Sequence, residues 1–156
     1  MAERAQRRDA EAAAKRRQVL LIDDNEDDRQ ILERVFEGGG SRAELLTAGS
    51  GPEGLDVIAK RADENASPDL VLLDLNMPGM TGLETLERIR ALDAGRLVPI
   101  IVFTTSDSDT DVIRSYELGA NSFVTKPIDL DDVIRVVSEI DEYWFDLTAL
   151  PRRPQG

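Results

Sequence analysis

The sequence contains no cysteine and no histidine, and these absences remove several classes of chemistry. Without cysteine there is no disulfide, no thiolate nucleophile and no cysteine-ligated zinc. Without histidine there is no Ser-His-Asp triad, no imidazole metal ligand and no phosphohistidine on this chain. No apolar run reaches the ~20 residues that span a bilayer, and residues 1–17 lack the apolar stretch of a signal peptide. We therefore expect a cytoplasmic protein that has no membrane contact.

Charge is distributed unevenly along the 156 residues, whose net charge is −12. Residues 1–17 carry +3 and the remainder carries −15. An acidic body of this kind favours cationic partners or divalent metal ions over nucleic acid. The length predicts one domain. We place it at 18–146, after a charged N-terminal extension at 1–17 and before a C-terminal tail at 147–156.

Five short apolar runs divide the chain after residue 17. Runs that are apolar throughout are typical of strands buried on both faces of a parallel sheet. Periodicity alone does not exclude buried helical turns, but the short length and the β-branched residues favour strands. The runs lie at 19–22, 43–47, 70–73, 100–103 and 122–124.

Amphipathic helical patterns fill the intervals between these runs. Ser50 and Glu53 have the spacing of a capping box, and the glycines at 38–40 end an earlier helix. Strands that alternate with helices five times predict a doubly wound α/β domain. The apolar stripes are formed by Ile31, Leu32, Val35 and Phe36; by Leu55, Ile58 and Ala62; by Leu83, Leu86 and Ile89; by Val112, Ile113 and Tyr116; and by Val133, Ile134, Val137, Ile140 and Trp144.

Polar residues stand where the strands end, and they carry the predicted chemistry. Asp23, Asp24, Asp74, Thr104 and Lys126 follow or close four of the five runs. The carboxyl ends of parallel strands meet at one edge of the sheet, where α/β proteins bind their ligands. Crowded carboxylates repel one another unless a cation lies between them, and oxygen ligands favour a hard ion such as Mg²⁺. The alternative is that the aspartates only cap the helices that follow.

A second group of acids, Glu26, Asp27 and Asp28, follows the first strand within a few residues. We interpret them as first-turn acids that the helix dipole stabilises, rather than as metal ligands.

Together these motifs resemble the receiver domain of two-component response regulators, a CheY-like domain. The resemblance rests on Asp23-Asp24, on the D-L-N-M-P segment at 74–78, on Gly82, on Thr104 and on Lys126-Pro127, all in order. It implies five helices around a five-stranded sheet of order 2-1-3-4-5. It also implies a signalling protein rather than an enzyme, in which Asp74 accepts a phosphoryl group from a sensor histidine kinase.

The resemblance further implies roles for individual residues. Asp24, Asp74 and the backbone carbonyl of Asn76 would bind Mg²⁺ or Mn²⁺ directly, and Asp23 would act through metal-bound water. Lys126 would pair with the phosphoryl group, and a cis Lys126–Pro127 bond would aim it inward. Two further pairs of residues would serve as the switch and as the determinants of phosphoryl lifetime. The switch residues are Thr104 and Phe123, and the lifetime residues are Asn76 and Ser106.

The C-terminal segment gives a narrower resemblance, to stand-alone receivers paired with bacterial phytochrome histidine kinases. Tyr143, Trp144 and Phe145 cannot all face one core, because three consecutive helical residues span about 200°. The tail therefore either folds back over its own domain or, as the resemblance suggests, packs in a homodimer. Too few residues follow for a DNA-binding output domain, so we expect none.

Two other functions stay open. A haloacid-dehalogenase-type phosphohydrolase also uses an aspartate nucleophile and Mg²⁺, but it needs a second acid at the position of Asn76. A pseudo-receiver that only binds partners would normally lack one of the acids, the acceptor or the lysine.

Overall fold

The apolar runs become the strands of a single parallel sheet in the structure, a computed structural model that describes residues 16–151. The strands are β1 Gln18–Ile22, β2 Glu44–Ala48, β3 Leu70–Leu73, β4 Ile100–Thr104 and β5 Ser122–Thr125. The helices are α1 Glu26–Val35, α2 Gly51–Asp63, α3 Gly82–Ala91, α4 Asp109–Glu117 and α5 Leu130–Asp141. The N-terminal extension predicted at 1–17 lies outside the described residues, except for its last two positions.

The sheet has the order β2-β1-β3-β4-β5, and every neighbouring pair is parallel. This confirms the predicted fold class and strand order. The three central strands are almost wholly buried, whereas β2 and β5 at the edges are half-buried. That difference explains why the second and fifth apolar runs are the weakest in the sequence.

Two hydrophobic clusters cover the two faces of the sheet. On one face, Ile58 of α2 and Leu86 and Ile89 of α3 pack against Leu20, Ile22 and the alternate residues of β3 and β4. On the other, Leu32 and Val35 of α1 and Val133 and Val137 of α5 pack against Val19, Leu21 and their neighbours. This is the doubly wound arrangement. Within residues 16–151, no helix combines the length and the apolar character needed to cross a membrane.

The helix ends follow the expected local chemistry. The Ser50 hydroxyl accepts a hydrogen bond from the backbone N–H of Glu53 at 3.2 Å, and the Glu53 carboxylate accepts one from the Gly49 N–H at 2.7 Å. Helix α1 passes into a π-helical turn, Phe36–Gly40, in which Gly39 adopts a φ of 89°. Glycine enters this left-handed region without steric cost.

The apolar stripe predicted for the fourth helix does not form its core face. Ile113 and Tyr116 of α4 are more than half exposed, and the buried residue of this helix is Ser115. The Ser115 hydroxyl donates a hydrogen bond to the Asp111 carbonyl at 2.7 Å. A small side chain that satisfies its own hydroxyl can face the sheet at close range, and the larger side chains then point outward.

Candidate functional site

Three site residues occupy the first position after a strand, and the sheet ladder still holds their backbones. The backbone N–H of Asp23 donates to the Ala48 carbonyl at 3.0 Å, and that of Asp74 donates to the Ile22 carbonyl at 3.0 Å. The N–H of Lys126 donates to the Thr104 carbonyl at 2.7 Å. The sheet therefore fixes the starting point of each side chain.

The structure brings three carboxylates together at this edge. One oxygen from each of Asp23, Asp24 and Asp74 lies within 4.8 Å of the others. Asp23 and Asp74 are buried, and Asp24 is the most exposed of the three. They do not cap the helices that follow, because the N-cap of α1 is Asn25 and that of α3 is Thr81. The capping alternative is thus wrong.

Each buried carboxylate also bonds the chain two residues ahead. An Asp23 oxygen accepts from the N–H of Asn25 at 2.9 Å, and an Asp74 oxygen accepts from that of Asn76 at 3.4 Å. These local bonds orient the carboxylates, and the side chain of Asn76 stays exposed beside them. Gly82 allows the loop after β3 to close under Asp74, since a Cβ there would lie 2.2 Å from the Asp74 carbonyl oxygen.

Lys126 is the cation of the cluster. Its Nζ lies 2.7 Å from Asp23, 2.9 Å from Asp28 and 3.5 Å from Asp74, and its side chain is only 9% exposed. Burial lowers the pKa of Lys126, but the hydrogen bonds to Asp23 and Asp28 outweigh burial and raise that pKa overall. Lys126 therefore stays protonated.

Asp23 has the opposite balance. Burial raises the pKa of Asp23 above its ordinary value, although the hydrogen bond from Lys126 opposes that rise. One ammonium does not fully compensate carboxylates that are buried this closely, so the edge keeps an excess of negative charge.

The donor set fits a hard divalent cation. All three converging side chains offer carboxylate oxygens, the ligands that Mg²⁺ and Mn²⁺ bind. A cation at this point would relieve the repulsion among them. The exposed position of Asp24 leaves a path for an ion from solvent.

The predicted switch residues lie on the two neighbouring strands. Thr104 ends β4 and is fully buried, and its hydroxyl oxygen accepts from the N–H of Ser106 at 3.5 Å. The Ser106 hydroxyl in turn donates to Asp111 on α4 at 2.5 Å. Phe123 on β5 is half-buried against the cluster that α2 and α3 cover.

The Lys126–Pro127 bond is trans, so the cis bond that the resemblance implied is a wrong expectation for this structure. The ladder bond to Thr104 and the contacts with Asp23 and Asp28 direct the lysine inward without it.

The C-terminal aromatics lie in a second π-helical turn, Glu142–Leu147, that continues α5. Trp144 and Phe145 pack in part against the cluster formed with α1 and α5, whereas Tyr143 is 50% exposed. Arg42 forms ion pairs with Asp141 at the end of α5 and with Asp146 in the turn. The residues at 152–156 of the predicted tail lie outside the described residues.

The contact between Asp28 and Lys126 is not predicted by the sequence. Asp28 is expected only to be a first-turn acid, and it does lie in the first turn of α1. Its sequence signal is identical to that of Asp27 next to it, because the direction in which each carboxylate points depends on how α1 packs.

Comparison with known proteins identifies one family. A family model described as the response regulator receiver domain matches residues 19–138. The probable methanogenesis regulatory protein FilR2 of Methanothrix harundinacea is 35% identical over 128 residues, which cover 81% of this chain and 83% of that protein. The response regulator Rcp1 of Synechocystis is 32% identical over 126 residues, which cover 80% and 86% of the two chains.

Solved structures agree with this match. The phosphorylated cyanobacterial phytochrome response regulator RcpA has a TM-score of 0.78 at 28% identity, covering 88% of this chain and 99% of that one. The Mn²⁺-bound form of Rcp1 has a TM-score of 0.75 at 32% identity, covering 87% and 99%.

Proposed function

Because this chain belongs to the response regulator receiver domain family, we propose that it is a single-domain regulator whose Asp74 accepts a phosphoryl group from a sensor histidine kinase. The observation that carries the proposal is a buried carboxylate after the third strand, beside two further carboxylates and a buried ammonium. This chain has no histidine, so the phosphohistidine must belong to the partner.

In the proposed step, an Asp74 carboxylate oxygen attacks the phosphorus of phosphohistidine. The P–O bond forms as the P–N bond breaks, and the leaving imidazole nitrogen takes a proton from solvent. The step needs little covalent assistance, and the site contributes mainly position and charge. The ladder bond of Asp74 to Ile22 supplies the position.

We propose that Asp24, Asp74 and the backbone carbonyl of Asn76 hold a Mg²⁺ or Mn²⁺ ion, with Asp23 binding through water. A bound divalent ion neutralises the charge of the phosphoryl oxygens. The all-carboxylate donor set supports this assignment, as does the Mn²⁺-bound form of the similar protein Rcp1.

The remaining roles concern residues of this chain around the acceptor. Lys126, whose Nζ already lies 3.5 Å from Asp74, pairs with the phosphoryl group in place of one of its present contacts with Asp23 and Asp28. Thr104 turns its hydroxyl from the Ser106 N–H toward the same group, and Phe123 follows by changing rotamer. Asn76, whose N–H bonds Asp74, and Ser106, whose N–H bonds Thr104, set how long the phosphoryl group lasts.

The alternative functions are not favoured. Asn76 stands where a haloacid-dehalogenase-type phosphohydrolase has its second acid, and the family match is to receivers. The acceptor, both metal-binding acids and the lysine of a working receiver are all present, unlike in a pseudo-receiver.

The direct test uses beryllofluoride with Mg²⁺, which mimics an aspartyl phosphate. We expect saturable changes in NMR spectra that centre on Asp74, Thr104 and Lys126, and none with beryllofluoride in the absence of divalent metal. Unchanged spectra with both components at millimolar concentration would contradict the acceptor assignment.

For the kinase, we propose a phytochrome-type sensor, because the similar proteins RcpA and Rcp1 are response regulators and RcpA is a phytochrome response regulator. A phosphotransfer screen with purified, autophosphorylated kinases tests this. We expect a phytochrome kinase to be the fastest donor, and a faster donor of another class would overturn the pathway. The cytoplasmic location stays a prediction.

We propose a homodimer through the C-terminal segment, supported by two apolar side chains on its surface. Tyr143 is 50% exposed and Leu147 is 74% exposed, and large aromatic side chains often anchor interfaces. We place the receiver domain at 18–146, beyond the family match, because Trp144 and Phe145 still pack on its core.

Sedimentation of the full chain at tens of micromolar, with and without beryllofluoride, tests the dimer. Truncation after Asp141 should give a monomer, but it also removes Trp144 from the core. A sharper variant is therefore the pair Tyr143→Ala and Leu147→Ala. Tyr116→Ala on α4 is the matched control, because Tyr116 is equally exposed but distant in sequence. A wild-type chain that sediments as a monomer under both conditions would exclude the dimer.

A further inference from the structure

The contact between Asp28 and Lys126 has no role in the function proposed so far. Asp28 is not one of the three clustered carboxylates, yet its oxygen lies 2.9 Å from Lys126 Nζ, closer than the 3.5 Å from Nζ to Asp74. The buried lysine is therefore bound more closely by Asp23 and Asp28 than by the proposed acceptor.

The backbone of α1 holds Asp28 in place. The side chain of the N-cap residue Asn25 accepts from the N–H of Asp28 at 3.0 Å, which fixes the first turn of the helix. Its neighbour Asp27 stands in the same turn, but no lysine or arginine within residues 16–151 forms an ion pair with Asp27. The contact is thus specific to one of two adjacent aspartates.

Asp28 is also the more easily released partner of the lysine. Its side chain is 35% exposed, against 1% for Asp23. A cavity of about 290 Å³ between α1 and the segment after β5 is lined by Asp28, Lys126, Ile31 and Pro127. Water in that cavity can replace the ammonium as a partner of Asp28, whereas the Asp23 carboxylate, which also lines the cavity, is only 1% exposed.

From this geometry, and on the premise of the proposed function, we propose that Asp28 is a positioning residue that competes with Asp74 for Lys126 and keeps the ammonium closer to itself than to Asp74 until a phosphoryl group arrives. The Asp28 carboxylate competes for the ammonium and adds negative charge near the incoming anion. Removing that charge frees Lys126 for the acceptor, so the phosphoryl state becomes more favourable.

The test compares Asp28→Asn with Asp27→Asn, which removes the same charge from the same turn without touching the lysine. We expect beryllofluoride in saturating Mg²⁺ to bind Asp28→Asn about two- to fivefold more tightly than Asp27→Asn, the range for loss of one partly exposed ion pair. Asp28→Ser, made alongside, should show the same direction. Affinities equal within error, or weaker binding by Asp28→Asn, would overturn the proposal.

A second measurement needs neither metal nor mimic. The chain has only three lysines, Lys15, Lys60 and Lys126, so the side-chain carbon resonances of Lys126 can be assigned readily. In the metal-free protein we expect Asp28→Asn to shift them and Asp27→Asn to leave them in place. Identical lysine spectra in the two variants would also overturn the proposal. If wild type itself fails to bind beryllofluoride, the proposed function fails instead.

Discussion

Charges are compensated differently at the two edges of the sheet: the amino edge, at the amino ends of the strands, and the carboxyl edge, at their carboxyl ends. At the amino edge, two arginines have well-matched polar partners. Arg17 pairs with Asp69, whose other oxygen accepts from the N–H of Gln18 at 2.9 Å. Arg90 donates to the carbonyls of Gly119, Gly95 and Val98, and to Asn121. At the carboxyl edge, one ammonium serves several carboxylates.

This difference separates stability from chemistry. A network whose polar groups all have hydrogen-bond partners stabilises the fold without a ligand. An excess of buried negative charge instead favours the binding of a cation, or the loss of one of the charges. The same strands run from one edge to the other, so the bonds at the amino edge stabilise the strands that position the carboxylates at the carboxyl edge. Changes at the two edges should therefore affect different measurements.

The largest expected effect is the loss of phosphoryl uptake in Asp74→Asn. The amide is nearly isosteric with the carboxylate but is not a nucleophile, so uptake from a phosphorylated kinase should vanish. Thermal stability should be kept or slightly raised, because one of three crowded charges is gone. Labelling with radioactive phosphate and a melting curve measure the two quantities. Uptake at the wild-type rate would show that another residue is the acceptor.

At the amino edge, Arg90→Ala should act only on stability. The change leaves several partly buried carbonyls without their charged donor, and we expect unfolding to become easier by about 2–3 kcal/mol. Urea denaturation measures this loss, while beryllofluoride affinity of the folded protein should not change. Arg88→Ala, an exposed arginine on the same helix, is the control and should be nearly neutral. Equal losses for the two variants would contradict a bracing role for Arg90.

How far sequence predicts these edges depends on whether a feature is local. Apolar runs and the polar residue that ends each run are local, so the sequence alone is enough to place Asp23, Asp74 and Lys126 at one edge. Strand order comes from the family resemblance, because nothing local distinguishes β1 beside β2 from other parallel pairings.

Features that depend on packing could not be predicted. Arg90 reaches Gly119 and Asn121, about thirty positions further along the chain, across a loop whose path no local pattern specifies. Asp27 and Asp28 look alike in sequence, and only the rotation of α1 against the sheet decides which one meets Lys126. The predicted core face of α4 was wrong for the same reason. The buried residue of that helix is the small Ser115, and the face that carries the larger apolar side chains is exposed.

The next effect in size is stabilisation by Mg²⁺ at the carboxyl edge. An ion that binds only the folded state raises stability by mass action, by about 1.4 kcal/mol at tenfold its Kd. Asp24→Ala should remove this gain, whereas Asp27→Ala, a neighbouring acid outside the cluster, should retain it. Melting temperatures with and without millimolar Mg²⁺ report the effect. A gain that survives in Asp24→Ala would place the ion elsewhere.

The smallest expected effect compares one isosteric change at each edge, Asp23→Asn and Asp69→Asn, in metal-free protein. Burial raises the folded-state pKa of Asp23, so its protonated form favours folding. That contribution is present at low pH and is lost as pH rises through the folded-state value. Asparagine is neutral at every pH, so Asp23→Asn should be slightly more stable than wild type at pH 7. The gain should shrink as pH falls toward the ordinary value of 3.8.

Asp69→Asn should have the opposite sign. Its carboxylate accepts from the Gln18 N–H and pairs with Arg17, without competing carboxylates. Loss of that charge should therefore cost about 0.5–1 kcal/mol at pH 7. Urea denaturation of both variants at pH 7 and at pH 4.5 gives the signs directly. A lower stability of Asp23→Asn than of Asp69→Asn at pH 7 would contradict the comparison. It would mean that the single lysine compensates the charge of the carboxylates around it as fully as the charges at the amino edge are compensated.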